Sequence, residues 1–508
     1  MNKKAILIPV CLLICIFSLL YYEHIKIQTA LPSKDWSRSF FINLQSDMPL
    51  NAFVRSDSDY HVYTLQKNNV LHTVLNENMD IKTQYVVNVR ASFNSRLWGK
   101  DEDIMYIHNG ELQFSNGKDV RTIAQDVVNF RSLPESVLYW KEKELYEVKS
   151  DGPPRLLTTF NYKIKDVVLE PNGQSVLVVL ENEQVESQLM LVTQDGQVQT
   201  LPSLTMSGTE KVEEFQFVRE GNDLQIFYVT LSLAQGIKTY RAYEWNVTSG
   251  TKQAEQRPVP LQLYSKEGIE FSNPRYLQVR KEEELTLLFT AFGQTAAKEE
   301  NFNVYEAKKQ GGKWVSQRIS TTDGVASYPI RFSDKEVMWT AFSGKTYTMA
   351  YASQDRDLID RSEQIVADDW KDAMYGTFTS LFSGIIMMLL SISWLIIPTI
   401  LYVIVYFFRT DELEQNKLKW IDITLIGLYT LSQFVFFAKV FKKDSLYYAP
   451  DYLTFTGSNI ILPIALGLVV WVLMKWVKGD EWSSLQRFSY YASVNIVALS
   501  FLFGPFML

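Results

Sequence analysis

The chain has 508 residues, of which 47% are hydrophobic and 14% aromatic, and a formal net charge of −7 at pH 7. That length exceeds one ordinary domain, so at least two units are expected. A net acidic chain with no basic stripe excludes nucleic acid as an expected partner.

The two cysteines, Cys11 and Cys15, both lie in the first apolar run. The large middle region has none, so it must be stable by packing alone. That pattern fits a large domain in a bacterial envelope better than a small stapled one. Val10 and Ile14 precede the cysteines where a lipidation signal needs a small residue, so lipid attachment is not expected.

Residues 1–4 carry Lys3 and Lys4 and read as a cytoplasmic N-terminus. Residues 5–22 follow without a charge. This run is longer than a signal-peptide core, and no small-x-small site follows it directly, so it reads as a retained transmembrane anchor, with a signal peptide cleaved near Thr29-Ala30 as the competing reading.

Residues 37–355 change character. β-branched and aromatic runs recur at His61–Leu65, Ile104–Ile107, Val137–Trp140, Ser175–Leu180, Leu224–Val229, Leu285–Phe292 and Val337–Phe342. Beside them stand Asn109-Gly110, Asn116-Gly117, Asp151-Gly152, Asn172-Gly173, Asp195-Gly196 and Asp323-Gly324. Such pairs tolerate the positive φ of tight hairpin turns. The run starts lie 33 to 61 residues apart. A blade of four antiparallel strands needs roughly 40–50 residues. Polar strands follow some runs, as at Glu111–Phe114 and Gln188–Thr193. The expected fold class is therefore an all-β extracytoplasmic β-propeller of about seven blades. A string of β-sandwich domains is the competing reading.

Residues 356–383 are charged, with Leu358, Ile359, Ile365, Val366, Trp370 and Ala373 spaced for an amphipathic connector. Residues 384–408 contain no charge and are long enough to cross a hydrocarbon core of roughly 30 Å. Further apolar runs lie at 421–441, 460–476 and 490–508. With residues 5–22 this makes an α-helical bundle of five expected transmembrane helices.

Lysine and arginine placement sets the orientation. With Met1 inside, the inner flanks hold Lys3, Lys4, Arg409, Lys417, Lys419, Lys475, Lys478 and Arg487, against Lys442 and Lys443 outside. The expected topology has a cytoplasmic N-terminus, residues 23–383 extracytoplasmic and the C-terminus extracytoplasmic, in a plasma membrane. Trp420, Trp476, Trp482, Tyr490 and Tyr491 fall at the inner interface, and Tyr447, Tyr448 and Tyr452 near the outer one.

A pump or carrier would want a central carboxylate within a span. The polar residues within spans are Gln433, near its helix centre, and Asn495, about one and a half turns into the last, and they are expected to form interhelical hydrogen bonds. Asp422 and Lys439 sit near opposite ends of one helix.

No catalytic, cofactor-binding or metal-binding residues are expected. His24, His61, His72 and His108 form no His-x-x-x-His pattern, and no Gly-x-Ser-x-Gly elbow or phosphate loop appears. Glu282 to Glu284 and Asp101 to Asp103 read as solvated turns. The expected function is a binding, sensing or scaffold module, held in the lipid bilayer and presented to a protein, peptide or envelope polymer. Two alternatives stand beside it. One is an envelope enzyme with carboxylates in the propeller channel. The other is a transporter or its accessory subunit.

Overall fold

The computed structural model describes residues 3–48, 52–56, 59–67, 69–92, 95–150, 152–171, 173–181, 186–206, 209–221, 223–248, 257–296, 298–437, 446–477 and 482–507. Asp151, Asn172, Lys439, Lys442, Lys443, Lys478 and Leu508 lie outside them. The chain divides into two units. One comprises Leu31–Thr295 and Glu300–Glu363. The other comprises Met1–Ala30, Ala296–Glu299 and Gln364–Leu508.

The first unit is a seven-bladed β-propeller, with one antiparallel four-strand meander per blade. Its innermost strands are Ala52–Ser56, Leu97–Lys100, Asn129–Ser132, Lys163–Leu169, Glu210–Glu220, Ser272–Lys281 and Val325–Arg331. We number the blades one to seven in that order. The fourth strand of blade seven comes from the start of the domain. Phe40–Ser46 pairs antiparallel with Tyr347–Ser353, Phe40 opposite Tyr351 and Ser46 opposite Tyr347. This joins the two ends of the domain and leaves no open edge between first and last blades.

Each apolar run singled out in the sequence is the second strand of its blade: Asp59–Gln66, Asp103–His108, Ser136–Trp140, Ser175–Glu181, Asp223–Ala234, Leu285–Gln294 and Glu336–Phe342. The reason lies in how blades pack. Side chains alternate across a strand, and both faces of a second strand meet a neighbouring blade. In blade three, Val137 and Tyr139 pack toward blade two, against Trp98 and Met105. Leu138 and Trp140 pack toward blade four, against Ile164 and Val178. Seven such clusters, one between each pair of neighbours, make up the core.

Hairpin chemistry follows the residues at one clear position. Asn109 (φ 50°) and Gly110 (φ 80°) join the second and third strands of blade two. Both central residues have positive φ, as the tightest twisted hairpins require. Asp323-Gly324 is different. It precedes the first strand of blade seven, and Gly324 is not in the positive-φ region.

The second unit is helical, apart from the short segment 296–299. Its helices are α1 (Lys3–Gln28), α3 (Ala367–Leu390), α4 (Ile396–Glu414), α5 (Trp420–Phe437), α6 (Asp451–Thr454), α7 (Ser458–Val477) and α8 (Ser484–Phe503). The short helix α2 (Arg356–Glu363) belongs to the propeller unit. Four segments are long and apolar enough to cross a membrane: Ala5–Gln28, Ala367–Glu414, Ser458–Val477 and Ser484–Phe506. Trp420–Phe436 is apolar but shorter, so length supports four spans rather than the expected five among the described residues. The expected span at 384–408 is part of a 48-residue helical stretch. It is broken by a 3-10 turn at Ser391–Leu395, and Arg409 leaves helical geometry.

Candidate functional site

The seven innermost strands surround an axis, and two cavities open along it. One, of roughly 1500 Å³, lies where the innermost strands turn into the second strands. The other, of roughly 790 Å³, lies at their opposite ends. Leu169, Gln216, Gln278 and Ile330 line both, so they form the waist of the channel.

The narrower mouth is built by two irregular strands. Ser272–Lys281 loses register with its neighbour around Arg275, and Val325–Arg331 does so between Ser327 and Ile330. Each irregularity puts a tyrosine in the left-handed region, Tyr276 at φ 54° and Tyr328 at φ 50°. A bulky residue there costs of order 1–3 kcal/mol and persists only where its surroundings impose it. Pro274 lies two residues before Tyr276, and Pro329 directly after Tyr328. The bulges aim the two rings at each other, with centroids 4.0 Å apart. Burial holds both phenols above their ordinary pKa, so both are neutral at physiological pH.

Glu214 of blade five fixes this geometry. Its carboxylate accepts the backbone N–H of Tyr276 at 3.0 Å and of Leu277 at 3.0 Å. Burial pushes the Glu214 carboxyl above its ordinary pKa, and the two N–H donors only partly oppose that. Beside it, the Arg275 guanidinium lies 3.9 Å from the Tyr240 ring and 4.8 Å from the Phe302 ring. Two aromatic faces hold that cation in one plane. Its Nε has no hydrogen-bond partner.

Charges at this mouth divide into paired and unpaired. Arg131 meets Asp166 at 2.6 Å, and Lys211 meets Glu213 at 2.5 Å. Arg96, Lys165 and Arg275 also line the cavity, and among the described residues none of them has an ion pair. At the wider mouth charge is largely satisfied. Arg280 meets Asp334 at 2.8 Å, Lys335 meets Asp355 at 3.7 Å, and Ser333 donates to Glu336 at 2.8 Å. An adjoining crevice of roughly 570 Å³ between blades three and four has a floor of Leu138, Leu157, Val176 and Val192.

In the helical unit the structure brings Gln433 and Asn495 together. Gln433 Nε2 donates to Asn495 Oδ1 at 2.7 Å, and Tyr429 Oη donates to the same oxygen at 3.0 Å. Asp422 takes Arg487 as partner at 2.6 Å, on the neighbouring helix α8.

A polar cluster in blade one escapes pattern reading. His72 Nε2 and His61 Nδ1 lie 3.1 Å apart, and His72 Nδ1 lies 2.6 Å from Tyr85 Oη. The Tyr63 ring stacks on His72 at 4.3 Å. These residues sit on three adjacent strands, so no short spacing reveals them. Their cross-strand pairing is the available signal, with His72 opposite both Tyr63 and Tyr85. Of the expected solvated turns, Glu282 pairs with Arg280 and Glu284 with Lys308. Among the described residues no group of three His, Cys, Asp or Glu side chains could hold a metal ion.

No family model and no curated protein matches the sequence. Solved structures match the chain only at low identity and low TM-score. The WD40 propeller domain of Doa1 is 11% identical, with a TM-score of 0.39 over 64% of this chain and 99% of that one. TolB from Acinetobacter baumannii is 9% identical, with a TM-score of 0.29 over 59% and 78%. Hydrazine synthase from Kuenenia stuttgartiensis is 11% identical, with a TM-score of 0.40 over 60% and 97%. The seven-bladed assignment rests on the strand pairing above.

Proposed function

We propose that this is a multi-pass plasma-membrane protein whose propeller is a binding module outside the cytoplasm, engaging a protein or peptide at its axis. The carrying observation is the narrower channel mouth. Backbone strain, a half-buried carboxylate and a stacked guanidinium there hold side chains from three blades around an open cavity. Strain of this kind is concentrated at binding and catalytic sites. The lysine and arginine asymmetry supports a cytoplasmic N-terminus, with residues 23–383 and the C-terminus outside. The apolar helices supply the means of anchoring.

Two measurements test this. Protease added to intact cells should cut within 37–355 and spare the hairpin at Arg409–Lys419. A photo-crosslinking residue at Gln278, where both cavities meet, should capture one partner, and the same residue at the outward-facing Phe41 should not. Protection of the propeller until lysis would overturn the topology. Equal capture from both positions would overturn the axial site.

A further inference from the structure

We propose that the narrower mouth takes an acidic polypeptide segment, its carboxylates held by Arg275, Lys165 and Arg96 and an apolar side chain resting on the Tyr276–Tyr328 pair. This rests on the propeller being a binding module and names the chemistry of what it binds.

Four features point this way. The three cations come from three places in the chain: the segment before the innermost strand of blade two, blade four and blade six. They line one cavity together with Arg131 and Lys211, five cations against the three carboxylates Asp166, Glu213 and Glu214, so the mouth carries excess positive charge even though Glu214 lies beside Arg275. An excess of positive charge around a cavity attracts an incoming anion. Second, Arg275 is already ordered between Tyr240 and Phe302. A guanidinium fork fixed in advance loses little freedom on meeting a carboxylate. Third, the cavity of roughly 790 Å³ suits a few side chains rather than a folded domain. Fourth, the tyrosine rings separate a peptide from a phosphate polymer. A peptide brings apolar groups to lie against them, whereas a phosphate chain brings only charge. The waist amides of Gln216 and Gln278 then face the peptide backbone as donors and acceptors.

The test uses the full-length protein in detergent and a fluorescent glutamate-rich peptide carrying one phenylalanine. Its glutamine counterpart and inorganic polyphosphate are the comparison probes. The glutamate peptide should bind at least tenfold more tightly than the glutamine one, and less tightly as salt rises. Arg275→Gln should weaken it roughly ten- to a hundredfold. Because that variant can also disturb the fold, Tyr276→Gly gives a second reading. Glycine accepts the positive φ without strain, which offsets part of the lost ring packing, so this variant should remain folded with a cooperative melt and yet lose affinity. Equal binding of both peptides, unchanged binding by Arg275→Gln, or saturable binding of polyphosphate alone would overturn the assignment. If the peptide fails while Gln278 still captures a partner in cells, the binding-module reading survives and this site does not.

Discussion

Trp314 of blade six donates its indole N–H to the carboxylate of Glu244 in blade five at 3.0 Å. Lys309 at 2.9 Å and Gln225 at 2.6 Å complete the shell around that carboxylate. Burial alone would raise the Glu244 pKa. The Trp314, Lys309 and Gln225 hydrogen bonds outweigh it, so the group is held below its ordinary value and stays charged. Glu244→Ala strands a buried indole N–H and an ammonium, and should cost about 2–3 kcal/mol. A denaturant midpoint for the propeller unchanged by this substitution would show that the contact between blades adds nothing.

His72 in blade one makes stability depend on pH. Burial first, and the neighbouring His61 second, lower the His72 pKa to about 4 from 6.5, while Asp101 opposes them. Between those values the unfolded chain binds more protons, so stability rises with pH and is lost as pH falls from 6.5 toward 4. The expected loss from pH 7 to pH 5 is roughly 2 kcal/mol from this group. His61, Tyr63, Tyr85 and Asp101 surround it. His72→Phe should flatten that part of the profile. A slope as steep in the variant would place the titration elsewhere.

Gly99 is needed for a close approach. A Cβ there would lie 2.4 Å from the Tyr63 ring. That ring has no room to retreat, since it stacks on His72 and donates to the Asp101 carbonyl at 2.9 Å. Gly99→Ala should destabilise by about 2 kcal/mol, and its melting temperature relative to the parent measures this.

The closing strand supplies an internal control. Leu44 is 1% exposed and Phe41 61% exposed, on the two faces of Phe40–Ser46. Leu44→Asp buries an unpaired charge in the last blade interface and should make the propeller protease-sensitive at neutral pH. Phe41→Asp should change stability by no more than about 0.5 kcal/mol. Similar digestion of both variants would mean that this strand does not close the ring.

In the helical unit, Asn495→Leu removes the acceptor shared by Gln433 and Tyr429. The loss should be about 1 kcal/mol, because polar contacts between membrane helices are modest in strength. Unfolding in mixed micelles would read it, and a stabilised variant would contradict a structural role for the contact.

Some of this architecture could be read before any coordinates. The second strands are apolar on both faces, so Ser136–Trp140 and Ser175–Glu181 stand out as unbroken runs, and their recurrence counts the blades. The innermost strands do not stand out. Lys163–Leu169 mixes exposed and buried positions because one end faces an open channel. The strand Phe40–Ser46 carries no sign that it pairs with residues some three hundred positions later. The helical stretch was legible as apolar, but the 3-10 turn at Ser391–Leu395 was not. Its residues are ordinary for a membrane helix, and the break coincides with the buried Trp394.

Composition and periodicity alone determined that this chain has a strand-rich part and an apolar helical part, because burying a strand or a lipid-facing helix demands a pattern within a few turns of chain. Which side chains meet at the axis was decided only by the tertiary structure. Glu214, Arg275 and Tyr328 are distant in sequence, and no local rule brings them together. They become neighbours because a closed ring sends the first strand of every blade to the same line.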